Sequence, residues 1–220
     1  MAFADIPAKY DFVQQNTEQI RVEASQSARD RLSTDSFNLL ASELTKKTGE
    51  RMVVTGLSNL GAVEQMNLPA GWTQGEEKTG IAGQGSSKQF LAPGSKDVEI
   101  TAFDRGRRYS SNAAAFQDIL GKAPHVLSPK ELESISTILG NYSDSRAFKM
   151  SACKTEDLNG KRVVVIEGTW NAVGHESYSV LANPDGKGET VQEIYFKAPA
   201  GEYKSHLNSA MQAIKSIRWK

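Results

Sequence analysis

The chain has 220 residues, of which 26 are Lys or Arg and 26 are Asp or Glu, so its formal charge is zero. With no basic excess to follow a phosphate backbone, general nucleic-acid binding is disfavoured, and with no acidic excess the chain is not a solvating tail. Residues 1–60 carry −1, 61–140 carry −1 and 141–220 carry +2, so neutrality is local and not two opposed halves cancelling.

The first 50 residues read as mostly helical. Ser33, Thr34 and Asp35 offer N-caps for a helix carrying Phe37, Leu40 and Leu44, and Gly49 ends it. The stretch at 20–25 alternates Ile20, Val22 and Ala24 with polar neighbours and stays open between helix and strand. Met52-Val53-Val54 is a candidate strand, and Leu68-Pro69-Ala70-Gly71-Trp72 is a turn that delivers a large aromatic to a core. Ser86–Leu91 and Asp97–Phe103 flank Ala92-Pro93-Gly94-Ser95 and predict a hairpin. Helices are predicted at Asn112–Leu120 and from Ser128 to Leu139; the second opens on a capping box of Ser128 and Glu131 with Pro129 at its first position. Arg146–Lys154, Arg162–Trp170, Glu176–Ala182 and Thr190–Lys197 then predict a four-strand antiparallel meander, with Asn159-Gly160 as a type I′ turn. The chain closes on a helix from about Gly201, where Tyr203, Leu207, Ala210, Met211, Ile214 and Ile217 form one apolar stripe. The expected class is α+β, an antiparallel sheet flanked by helices, with a mainly helical segment at 1–65 and a sandwich domain at 66–220.

No intact catalytic or metal motif accompanies this architecture. The glycine-rich stretch from Gly80 to Lys88 places its lysine three residues beyond Gly85, where a phosphate loop needs it at once. Gly56-Leu57-Ser58-Asn59-Leu60-Gly61 is one residue too long for a nucleophile elbow. Ser151-Ala152-Cys153-Lys154 matches Ser-x-x-Lys, yet lies in a predicted strand whose alternate residues face opposite sides. The three histidines, His125, His175 and His206, are widely spaced, so neither a metal nor a cofactor is expected. The lone Cys153 excludes an intrachain disulfide and reads as a small buried hydrophobe. The three tryptophans, Trp72, Trp170 and Trp219, read as core anchors.

The densest charge cluster is Phe103-Asp104-Arg105-Gly106-Arg107-Arg108-Tyr109, just past a strand end. Guanidinium groups pair bidentately with oxyanions, so Arg105, Arg107, Arg108 and Tyr109 are candidate anion- or partner-binding residues, with His125 as a candidate general base. The competing assignment is a solvated turn neutralised by Asp97 and Asp104. No apolar run approaches the ~20 residues of a membrane span. Ala2-Phe3-Ala4 before Asp5 has the small-x-small form of a signal cleavage site without the preceding apolar region. A cytoplasmic location and an exported one, periplasmic or secreted, therefore both remain open.

Leu68-Pro69-Ala70-Gly71-Trp72, the antiparallel sheet, Ile194-Tyr195-Phe196-Lys197-Ala198-Pro199 and a terminal helix ending in Ser216-Ile217-Arg218-Trp219 resemble the PsbP-like fold group, which includes the Mog-type Ran-binding protein and several exported bacterial proteins. The resemblance covers about residues 66–220 and carries no functional residue. It implies an α-β-α sandwich with a non-catalytic binding or assembly role, toward a protein partner it does not name. The alternative is an enzyme or ligand-binding protein that holds an anionic small molecule at Arg105, Arg107 and Arg108. A third option makes the first 65 residues an oligomerisation arm.

Overall fold

The computed structural model describes residues 56–80, 85–106 and 108–220. The predicted helix after Ser33, the undecided stretch at 20–25 and the candidate strand at 52–54 lie outside the described residues. The strands are β1 (Gly56–Leu60), β2 (Val63–Asn67), β3 (Thr73–Lys78), β4 (Ser86–Leu91), β5 (Glu99–Asp104), β6 (Phe148–Leu158), β7 (Lys161–Trp170), β8 (His175–Ala182), β9 (Gln192–Pro199) and β10 (Arg218–Trp219). The helices are α1 (Ala113–Gly121), α2 (Pro129–Ser134), α3 (Ser136–Leu139) and α4 (Ala200–Lys215). A seven-stranded sheet runs β3-β4-β5-β9-β8-β7-β6 and a three-stranded one runs β1-β2-β10, both antiparallel. This is the α+β antiparallel sandwich that the residue pattern indicates.

The meander forms as expected, and Asn159 at φ 51° and Gly160 at φ 80° give its first turn the two left-handed residues of type I′. The β4–β5 hairpin forms too, and β5 docks beside β9 with Glu99 opposite Lys197 and Thr101 opposite Tyr195. Val163, Val164, Val165 and Ile166 of β7 are all buried because the sheet is covered there on both faces. Against the first face pack α4, through Tyr203, Ala210 and Ile214, and the small sheet, through Leu57, Val63 and Met66. Against the second face pack α1–α3, with Phe116, Ile119 and Ile138 meeting Phe148, Val164 and Ile166.

Three expectations are corrected. The helix from Ser128 to Leu139 is interrupted at Ile135, although its capping box is present. Asn112 Nδ2 donates to Ser134 O at 2.6 Å, so that carbonyl no longer serves the helix, and Ile138 N turns to Ile135 O at 2.9 Å. The terminal helix stops at Lys215; Ser216 Oγ accepts from Asn67 N at 2.8 Å, and Arg218–Trp219 then pairs with β2 as β10. Strands β1, β2 and β3 were not expected, and the 65/66 boundary falls within β2, whose Val63 and Met66 belong to the main core. No helix among the described residues is long and apolar enough to cross a membrane.

Candidate functional site

Strands β5 and β9 alternate strictly. Ile100 and Ala102 with Ile194, Phe196 and Ala198 face the first core, which turns Glu99, Thr101 and Phe103 with Glu193, Tyr195 and Lys197 to the second face. The helices of that face lie over β6 and β7. Beside them is a cleft of about 730 Å³. Its floor is Phe103, Tyr195 and Lys197; one wall is Leu139–Tyr142, and the other is Trp170 with the turn that bears Val173.

Arg105, at the end of β5, is held where the chain leaves the sheet: its N–H donates to Val191 O at 3.2 Å, and Tyr109 N–H donates to Glu189 O at 2.7 Å. The Arg105 side chain is 9% exposed and turned inward. Its Nε and Nη2 meet Glu193 Oε2 at 2.8 and 2.7 Å, while Nη1 donates to Tyr109 Oη at 3.3 Å and to the Ile138 carbonyl of α3. Burial opposes its charge, but Glu193 and Tyr109 more than offset that and raise its pKa. Tyr142 Oη donates to the other Glu193 oxygen at 2.6 Å and lies 3.0 Å from Ser179 Oγ, which lies 2.9 Å from Ser177 Oγ. Burial, then the Glu193 charge, pushes the Tyr142 phenol well above its ordinary pKa, so it stays a proton donor.

A second pair lies farther along the same strands. Lys197 Nζ is 3.0 Å from Glu99 Oε1, and Gln89 Nε2 donates to Glu99 Oε2. The Lys197 side chain is 27% exposed where that of Glu99 is 7%. Nearby, burial first and Glu99 second raise the Tyr195 phenol. Tyr142, Phe148 and Trp170 form an aromatic triangle with centroids 4.9–5.2 Å apart, which firms the wall shared by helices and sheet.

Of the sequence-predicted site residues, Arg105 and Tyr109 come together in the cleft wall, with the Arg105 guanidinium carbon 5.9 Å from the Tyr109 ring centroid. Arg107 lies outside the described residues. The Arg108 side chain is 80% exposed and reaches Glu189 at 3.5 Å. His125 sits apart, beside β6, with Nδ1 at 2.8 Å from Ala123 O and Nε2 at 3.2 Å from Glu131 Oε1. Lys122, then Ser128, holds the Glu131 carboxyl well below its usual range. Cys153 is buried in β6, and burial pushes its thiol up to about 12. Among the described residues no three His, Cys, Asp or Glu side chains gather as metal ligands. Glu193, Tyr142, Lys197, Tyr195 and Trp170 were missed as site residues. The available signal was the alternation in β5 and β9, whose residues on this face, Thr101 apart, are charged or aromatic on strands central to a sheet.

No family model matches the chain, and no curated protein matches it. Among solved structures it is similar to the solution structure of cyanobacterial PsbP (CyanoP) from Synechocystis sp. PCC 6803, at 10% identity and a TM-score of 0.45, over 79% of this chain and 95% of that one.

Proposed function

We propose that the chain is a non-catalytic binding or accessory module that docks a protein partner at the mouth of this cleft. The observation that supports this is the pairing of charge inside it: Glu193 is taken by Arg105 and Tyr142, and Glu99 by Lys197 and Gln89, so neither carboxylate is left as a general base. Above them the turn Asn171–Gly174 is exposed and carries Val173, 59% accessible, one of two large hydrophobic residues so placed among the described residues. With the aromatic and aliphatic lining of the cleft beside it, Val173 extends an apolar surface ringed by polar residues, which suits a contact with another protein.

The rival reading is an enzyme or ligand-binding protein that grips an anion with Arg105, Arg107 and Arg108 and uses His125 as base. It draws less support, since Arg105 is spent on Glu193, Arg108 points to solvent and His125 is engaged elsewhere. Affinity capture from the native organism separates the two. The proposal expects a partner recovered by the wild type and by Lys204→Glu on α4, and lost with Val173→Glu. Recovery of no specific partner, with turnover found in a substrate screen, would overturn it.

A further inference from the structure

We infer that the cleft is also a binding site for a small organic anion, whose acidic head is read by Lys197 and whose flat apolar body lies between Tyr195, Phe103 and Trp170. This does not rest on a protein partner. The volume of about 730 Å³ lies within the ordinary range of small-molecule sites, and the walls are mainly aromatic and aliphatic.

The direction of charge follows from hydrogen-bond accounting. The Glu193 and Glu99 side chains are only 8% and 7% exposed and each of their oxygens already accepts at least one protein hydrogen, so the buried carboxylates turn little surface toward a ligand. All three Arg105 nitrogens are likewise engaged, by Glu193, Tyr109 and Ile138 O, which removes the arginine as the group that greets a ligand. Lys197 differs. Its ammonium carries three hydrogens, its ion pair with Glu99 uses one direction, and its side chain reaches the cleft at 27% exposure. Its Nζ stands 6.0 Å from the Tyr195 ring centroid, so charge and aromatic surface meet at one point of the floor. An acceptor head there gains a charge-assisted hydrogen bond in a partly desolvated place, while Phe103, Trp170 and Val173 cover the rest of the molecule. The anion site thus shifts from the arginine turn, where the sequence pattern suggests it, to Lys197, at 27% against 9% the more exposed of the two cations that line the cleft among the described residues.

The test titrates the full chain with two fluorescent probes of nearly the same shape: anilinonaphthalene sulfonate, which has an anionic head, and uncharged phenylnaphthylamine. The expected result is saturable one-to-one binding of the sulfonate to the folded protein. Lys197→Met should weaken it about tenfold or more, the loss of one charge-assisted bond, and leave phenylnaphthylamine within about twofold. Lys197→Arg should retain sulfonate binding, and Lys204→Met on α4 should change neither probe. Where Lys197→Met does not fold, Lys197→Gln must give the same selective loss. Absence of saturable binding, an unchanged sulfonate affinity in the folded uncharged variant, or equal loss of both probes would overturn the assignment. Partner capture through Val173 is read separately, so failure of one reading leaves the other standing.

Discussion

The second face of the large sheet is built in two ways. Over β6 and β7 it is apolar, and α1–α3 close it with Phe116, Ile119 and Ile138 on Val164 and Ile166. Over β5 and β9 it mixes aromatic and charged side chains beside an open cleft, and its buried charges are neutralised in pairs. A helix layer gains stability from apolar area in rough proportion to what it buries. A polar floor can be left partly wet only if each buried charge has a partner. The border between the halves is the Arg105–Glu193–Tyr142 group, since Arg105 also reaches the α3 carbonyl of Ile138 and so ties the helix layer to the sheet.

The largest expected effect breaks that border. Arg105→Met strands the Glu193 carboxylate, 8% exposed, beside Tyr142, and should cost about 3–5 kcal/mol in urea unfolding. Adding Glu193→Met should recover most of this, because the penalty belongs to the unpaired ion and not to the absence of the pair. A single-variant loss under about 1 kcal/mol would show that water reaches Glu193 and that the border is not sealed. The open pair should respond less. Lys197→Met also strands a buried carboxylate, but the ammonium it removes is 27% exposed where Arg105 is 9%, so water can follow into its place beside Glu99, and about 1–2 kcal/mol is expected from the same melts. Equal losses at the two sites would erase the contrast drawn between them.

A pH series sharpens it further. The folded chain holds the Tyr142 proton more tightly than the unfolded chain does, through burial and then Glu193. The stability linked to that group is therefore fully present below the ordinary phenol pKa of about 10 and is lost as pH rises beyond it toward the folded value. Unfolding midpoints should begin to fall at about pH 8.5 through the buried Cys153 thiol, and more steeply beyond about pH 10 through the phenols. Tyr142→Phe should fall less steeply, though not become flat, since Tyr178, Tyr195 and Tyr203 are also raised by burial. An identical alkaline slope in Tyr142→Phe would remove the phenol from the account.

The contrast between the halves also explains what the residues disclosed in advance. The covered half rests on local signals: the Ser128 capping box, the Asn159-Gly160 turn and the valine run of β7 each announce themselves within a few positions. The cleft depends on Glu99 meeting Lys197 and on Arg105 meeting Glu193, pairings 98 and 88 residues apart that only the β5–β9 register creates. Arg105 drew notice because three arginines stand close together, yet its role comes from Glu193, which sits in an unremarkable strand. The break at Ile135 escaped for a similar reason, as its cause is the Asn112 side chain from another element.

The smallest expected effect tests whether the halves are independent. Cys153 lies in β6 beneath the helix layer, and the segment ahead of α2 borders it: Leu127 N–H donates to Cys153 O at 2.9 Å, and Thr155 N–H donates to His125 O at 2.8 Å. With its thiol pushed up to about 12 by burial, it should react with a disulfide reagent at pH 8 far more slowly in the native chain than when unfolded, at a rate set by opening of that layer. Ser128→Ala removes the cap of α2 and should loosen it by about 1 kcal/mol, which raises the native reaction rate severalfold. Lys197→Met, on the open half, should leave the rate nearly unchanged once its global stability loss is allowed for. If instead Lys197→Met opens Cys153 as much as Ser128→Ala does, the floor of the cleft and the helix layer unfold as one unit. The Arg105 border would then be a joint within a single cooperative face and not the line between two.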